Sequence, residues 1–169
     1  MILATDVHYY NDKAQASGVL FEHWEDDTPL KTISVSINKV AAYKSGSFYK
    51  RELPCLLELI NAIDEKIDCV IVDGFVFLGK KQKSGLGKYL YDALDEKIPV
   101  IGVAKNGFHG TPDNTRLLRG NSNKPLFVTA IGLDLETAKN NIKNMAGDYR
   151  FPTLLKLVDT VCRDLSNIK

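Results

Sequence analysis

The run Cys69-Val-Ile-Val72, entered from Asp68 and closed by Asp73-Gly74, is short, β-branched and free of polar alternation. Such a run predicts a strand buried on both faces, the central type of an α/β sheet. Asp73 then stands at the strand's C-terminal edge, where open α/β sheets place ligands. By itself the pattern also fits a carboxylate that only starts a turn. Upstream, Met1 to Tyr10 reads as a strand with Asp6 in its middle, and Asn11-Asp12 as a turn. Ala16 to Trp24 and Leu30 to Ile37 read as two more strands, the latter alternating Ile33, Val35 and Ile37 with Ser34 and Ser36. Short polar connections make these three an antiparallel meander. From Ser47, apolar residues recur near the helical period at Phe48, Leu53, Leu56, Leu57, Ile60 and Ile63. Glu52 falls close to the start of that helix, with Pro54 in its opening turn, the place where proline is tolerated.

After Asp73 comes a lysine-rich loop to Gly85, a helix from Leu86 to about Glu96, and a second buried strand over Pro99 to Lys105. A loop rich in Gly, Pro and Asn leads to a strand over Leu126 to Ile131. Helices over Leu135 to Ala146 and from Pro152 to about Ile168 close the chain. The order βββαβαβαα predicts a mixed α/β sheet, its first three strands antiparallel and the remainder joined through helices, flanked by helices.

A chain of 169 residues is expected to form a single domain over 1–169 with one sizeable core. The formal net charge of +1 gives no bulk attraction to nucleic acid, so any such partner must be held by a local basic patch. Cys55, Cys69 and Cys162 lack C-x-x-C spacing and read as core thiols rather than a disulfide frame or zinc site. No apolar run reaches the roughly 18 residues of a membrane span. Asp6 interrupts any signal-peptide pattern, so a cytoplasmic setting without a membrane partner is expected. Oligomeric state stays open, with a monomer favoured.

Three carboxylates stand where surface acids rarely do: Asp6 within an apolar strand, Glu52 at a helix start and Asp73 at the end of a buried strand. An unpaired carboxylate in a core costs several kcal/mol or takes up a proton. Three together would call for a cation, and all-oxygen ligands favour a hard one, Mg²⁺ or Mn²⁺. Taken separately, Asp6 could pair with a lysine, Glu52 favour a helix N-terminus and Asp73 start a turn. The element order is ribonuclease H-like. In that fold, acids from the first strand, first helix and fourth strand converge on metal that serves phosphodiester hydrolysis.

Motifs carry a narrower resemblance. Tyr43-Lys-Ser-Gly-Ser-Phe-Tyr-Lys-Arg-Glu-Leu-Pro54 resembles the pattern Y-x-P-G-x-x-x-x-R-E-x-P of the endonuclease V (deoxyinosine 3′-endonuclease) family. Val72-Asp-Gly74 resembles its V-D-G, Ile101-Gly-Val-Ala-Lys105 its I-G-V-A-K, Pro125-Leu-Phe-Val128 its P-L-Y-V, and Tyr149-Arg-Phe-Pro152 its Y-R-x-P. The resemblance implies a Mg²⁺- or Mn²⁺-dependent enzyme that cuts DNA or RNA at the second phosphodiester 3′ to hypoxanthine. It implies metal-binding acids at Asp6, Glu52 and Asp73, and a lysine near the scissile phosphate at Lys105. It also implies a strand-opening wedge at Tyr43. Gly46, Gly74 and Gly102 would allow backbone or substrate to approach, and Lys80 and Lys81 would contact phosphates.

The chain departs from that pattern where histidines belong. Phe75 and Gly79 replace two of them after V-D-G, Lys88 and Tyr89 replace a Ser-His, and Ile131 stands for a catalytic or metal-associated histidine. Asp134 or Asp159 could supply a fourth acid, although Asp134 reads better as a helix N-cap. His8 shares a sheet face with Asp6 and is a weaker substitute. These losses leave a second reading, a nucleic-acid-binding relative without efficient cleavage, and a third, a small-molecule α/β domain whose three acids do not converge.

Overall fold

The computed structural model describes residues 1–38, 40 and 49–164. Tyr43 and Gly46 therefore lie outside the described residues. The elements in order are β1 (Ile2–Tyr10), β2 (Lys13–Phe21), β3 (Lys31–Ile37), α1 (Tyr49–Asn61), β4 (Cys69–Asp73), β5 (Phe77–Leu78), β6 (Lys83–Ser84), α2 (Leu86–Ala93), β7 (Val100–Ala104), β8 (Arg116–Leu117), β9 (Leu126–Ile131), α3 (Leu135–Asn144) and α4 (Thr153–Arg163).

Seven strands form one sheet in the order β3-β2-β1-β4-β7-β9-β8. The meander β1-β2-β3 is antiparallel, β4 lies parallel between β1 and β7, and β9 runs antiparallel to β7. This is the predicted mixed sheet with one refinement. A helix joins β4 to β7, whereas β7 reaches β9 through the Gly-Pro-Asn loop, and without a crossover helix the strand returns in the opposite direction.

Alternation along the strands sorts side chains to two layers. Ile2, Ala4, Cys69, Ile71, Ile101 and Val103 pack beneath α3 and α4, whose Ala138, Ile142, Leu154, Leu155 and Val158 are buried against them. On the other face, Leu3, Val70, Val72 and Val100 meet Leu56 and Ile60 of α1 and Leu86 and Leu90 of α2. Each such aliphatic side chain stabilises the fold by roughly 1.5–3 kcal/mol when fully buried. The central strands have apolar residues on both faces because both faces are covered.

One expectation about α1 changes. With the helix beginning at Tyr49 in the described chain, Pro54 sits in its second turn, not its first. The missing N–H there costs roughly 3 kcal/mol in a helix interior, and the buried Cys55, Leu56, Leu59 and Ile60 offset it.

Candidate active site at the C-terminal edge of the central strands

β1 and β4 pair over Ile2↔Cys69, Leu3↔Val70 and Ala4↔Ile71. Carrying that register on by two residues from Ala4↔Ile71 sets Asp6 opposite Asp73. Asp73 is itself opposite Val103 of β7. Lys105, two residues past Val103, therefore points to the same face as both acids. The backbone ladder stops where the acids begin, with the Thr5 hydroxyl donating to Ile71 O at 2.9 Å. The resulting cleft is lined by Thr5, Asp6, Asp73, Lys105, Phe151 and Asp159 among others.

Asp159 was legible only as one of two alternatives, and the structure separates them. Asp134 caps α3, accepting from Thr137 N at 2.9 Å, while Asp159 enters the cleft from α4. Its position next to Val158, at the margin of the buried stripe Leu154, Leu155, Val158 and Cys162, is the sequence signal that could have found it. Glu52 comes from the opposite layer, on the first turn of α1, and is only 4% exposed.

The electrostatics register how close these groups are. Burial, then repulsion from Asp73, raises Asp6 from 3.8 to about 6. Burial, then Asp6 and Asp73, push Glu52 well above the usual carboxylate range. Asp73 is also raised, chiefly by burial and against the pull of Lys105; it opens to solvent on one side while the sheet crowds it on the other. Asp159 is lowered, because Arg163 donates to it at 3.0 Å. Asp159 adds a smaller upward push on Asp6.

Among the described residues, no three Asp, Glu, His or Cys side chains stand at ligating distance as they are oriented. The chemistry of the set nevertheless fits a hard divalent cation. Every donor is a carboxylate oxygen, Glu52 Oε2 is buried without a hydrogen-bond partner, and burial, with repulsion from neighbouring carboxylates, raises all three acids predicted from the sequence. An acid cluster short of positive charge is what a metal ion would relieve.

Other predicted residues separate into those near the cleft and those away from it. Lys105 holds its ammonium 4.4 Å from the centre of the Phe151 ring. Arg150 donates to Lys105 O and to Pro125 O, tying the end of β7 to the entry of β9. Gly74, at φ +138°, has open space where a side chain would stand, so a ligand can approach its backbone. Gly102 serves another purpose: a Cβ there would lie 2.6 Å from Gly74 O and 2.8 Å from Thr129 Oγ1. The closeness is filled by protein, with Thr129 Oγ1 accepting from Val76 N at 2.8 Å and so holding the loop behind Asp73.

Lys80 and Lys81 are exposed on the β5-β6 ribbon and do not line the cleft. Gly79, in place of a histidine, packs against the backbone of His109. The expectation for Ile131 is corrected. It pairs with Val100, the first residue of β7, whereas the cleft lies past Ala104 at the other end of that strand. A histidine at this position would face the wrong end of the sheet for chemistry at Asp73. His8 stacks on Tyr10, with ring centres 6.4 Å apart, and is not among the cleft's lining residues.

Comparison with known proteins agrees with this fold. The profile of the Endonuclease V family matches residues 1–160. Endonuclease V of Pyrococcus horikoshii is 29% identical over 163 residues, covering 96% of this chain and 72% of that protein. The Pyrococcus abyssi enzyme is 30% identical over 164 residues, covering 96% and 78%. Among solved structures, endonuclease V of Ciona intestinalis, in complex with DNA containing an inosine, superposes with a TM-score of 0.79 at 21% identity, covering 99% of this chain and 86% of that one. Endonuclease V of Bacillus subtilis gives 0.78 at 17% identity, covering 98% and 80%. The folds are alike, and the chain belongs to the endonuclease V family, which makes it a nuclease and a phosphodiester hydrolase.

Proposed function

We propose that this protein is a divalent-metal-dependent endonuclease that cuts a DNA or RNA strand 3′ to a deaminated purine, hypoxanthine, in nucleic-acid repair. The observation that carries the proposal is the convergence of Asp6, Asp73 and Asp159 in one cleft beside Lys105, with the partnerless Glu52 oxygen behind them. Asp6, Glu52 and Asp73 would hold Mg²⁺ or Mn²⁺. That ion, when bound, supplies an activated water and neutralises charge at the phosphate. Lys105 stands on the same face as Asp6 and Asp73 and would present a cation to charge developing on the phosphoryl oxygens. Gly74 lets the strand come close to the backbone beside Asp73. Tyr43 and Gly46 are proposed to open the strand around the lesion base, and Lys80 and Lys81 to hold phosphates away from the cleft.

The test is nicking of inosine-containing DNA and RNA oligonucleotides with Mg²⁺ or Mn²⁺. Wild type should cut, Asp73→Ala should not, and Lys105→Ala should be slower by about 10²–10³-fold. Failure of pure protein to cut either strand with either ion would overturn the proposal. A second reading, a nucleic-acid-binding relative without efficient cleavage, is favoured by the absence of the family histidines at Phe75 and Gly79. Salt-dependent binding without metal-dependent turnover would select it.

A further inference from the structure

The cleft does not end at its acids. Lys105, Phe151 and Asp159 also wall an open groove of about 750 Å³ that carries Tyr149 and Lys156. This groove shares Asn121 and Asp148 with a second of about 630 Å³. The second shares Leu118 and Lys143 with a third of about 610 Å³, which holds Arg116 and Lys139. The three form one surface track running from the acids past the end of α3 to β8.

Two features of the track point to a ligand. Tyr149 is 78% exposed, and Leu118, further along, is 60% exposed. The backbone under Tyr149 is held firmly. Its carbonyl accepts from Arg119, its neighbour Arg150 is tied to Lys105 O and Pro125 O, and Gly120, at φ +60°, packs so closely that a Cβ would meet Asp148 O at 2.4 Å. A flat ring presented to water on a rigid support is a stacking platform. The charge along the track is mostly positive. Lys105, Lys156, Lys143, Lys139 and Arg116 line it against Asp148, Asp159 and Glu136; Asp159 is paired with Arg163 and Glu136 with Lys139, and Arg116 is itself paired with Asp113.

We propose that this track holds the unpaired flank of the nucleic-acid substrate beyond the cut site, with one base stacked on Tyr149 and the phosphates passing Lys156 and Lys143. The inference rests on the nuclease reading of the adjoining cleft and adds to it a defined single-strand subsite. Stacking on an aromatic ring tolerates any base, so the subsite would add affinity without sequence preference.

The experiment measures binding of labelled inosine oligonucleotides to the full chain without divalent ion. One strand ends just beyond the inosine on both sides, and others are extended with unpaired nucleotides on the 5′ or the 3′ side. Extension on one side is expected to tighten binding. Tyr149→Ala should remove about tenfold of that gain, Tyr149→Phe should retain it, and Lys143→Ala should lower the salt slope by about one. The short strand should bind all variants alike. Equal binding of the extended strands by wild type and Tyr149→Ala, or an equal loss on short and extended strands, overturns the inference. Wild type that cuts while ignoring Tyr149→Ala sinks the track alone. Tyr149-dependent binding without cutting in the metal-dependent assay sinks the nuclease reading alone, and wild type that neither binds the extended strands nor cuts with either ion overturns both.

Discussion

Among the described residues, two acid or base side chains, Arg119 and Glu52, are almost completely buried, and they are treated in opposite ways. Arg119 is 6% exposed, and its guanidinium donates to the carbonyls of Lys143, Met145, Ala146 and Tyr149. It closes the C-terminal end of α3, where helix carbonyls lack intrahelical partners and the dipole favours a cation. Glu52 is 4% exposed, and one of its oxygens has no partner at all. Its nearest charges include two further carboxylates. A buried charge with every hydrogen bond met is part of the scaffold. One left unmet costs stability and persists where something outside the chain completes it.

The contrast breaks most visibly under mutation. Glu52→Ala should lower inosine-strand cleavage by about 10⁴-fold or more while the metal-free protein melts no lower than wild type. A large drop in melting temperature would place Glu52 with the scaffold instead. Arg119→Ala should do the reverse. Several carbonyls lose a charged donor, and chemical denaturation should show a loss of about 3 kcal/mol. Cleavage per folded molecule should stay near wild type on short strands.

Acidity sharpens the comparison further. A carboxyl raised by folding binds its proton more tightly in the folded state, so its contribution is greatest below the ordinary 3.8 and is lost as pH rises through about 6 for Asp6. Glu52 extends the same loss to higher pH. Metal-free wild type should therefore lose melting temperature between about pH 4 and pH 6, and continue to lose it above that through Glu52, relative to the double variant Asp6→Asn with Glu52→Gln. Mn²⁺ added at the upper end should recover it. A parallel pair of pH curves would show that folding does not raise these two acids. The smallest effect expected is at an ordinary surface cap: Asp134→Ala should cost about 1 kcal/mol in denaturation and leave cleavage unchanged.

Much of this arrangement was readable in the chain, for identifiable reasons. Val70, Ile71 and Val72 are apolar on both faces, so the central position of β4, and with it the edge location of Asp73, follows from composition alone. Asp6 was visible because a carboxylate inside an apolar strand has few explanations. Asp159 was harder, since an acid beside a helical apolar stripe is ordinary and only packing of α4 over β1 brings it into the cleft. Ile131 was misplaced because motif matching counts residues along β9 and does not register that the strand runs antiparallel to β7, carrying its end away from Lys105. The track through Tyr149 and Lys143 could not be read, because its walls come from β8, α3 and α4, which are distant in sequence.

Pro54 has a consequence for motion. Without an N–H at that position, the carbonyl of Lys50 has no helical partner, so the opening turn of α1 is fastened less than the turns behind it. That turn carries Glu52. Local opening concentrates where backbone hydrogen bonds are fewest, and amide exchange in α1 should be fastest before Pro54 and slow at Leu59 and Ile60. The buried acid of the candidate site is thus mounted on the least fastened turn of its helix.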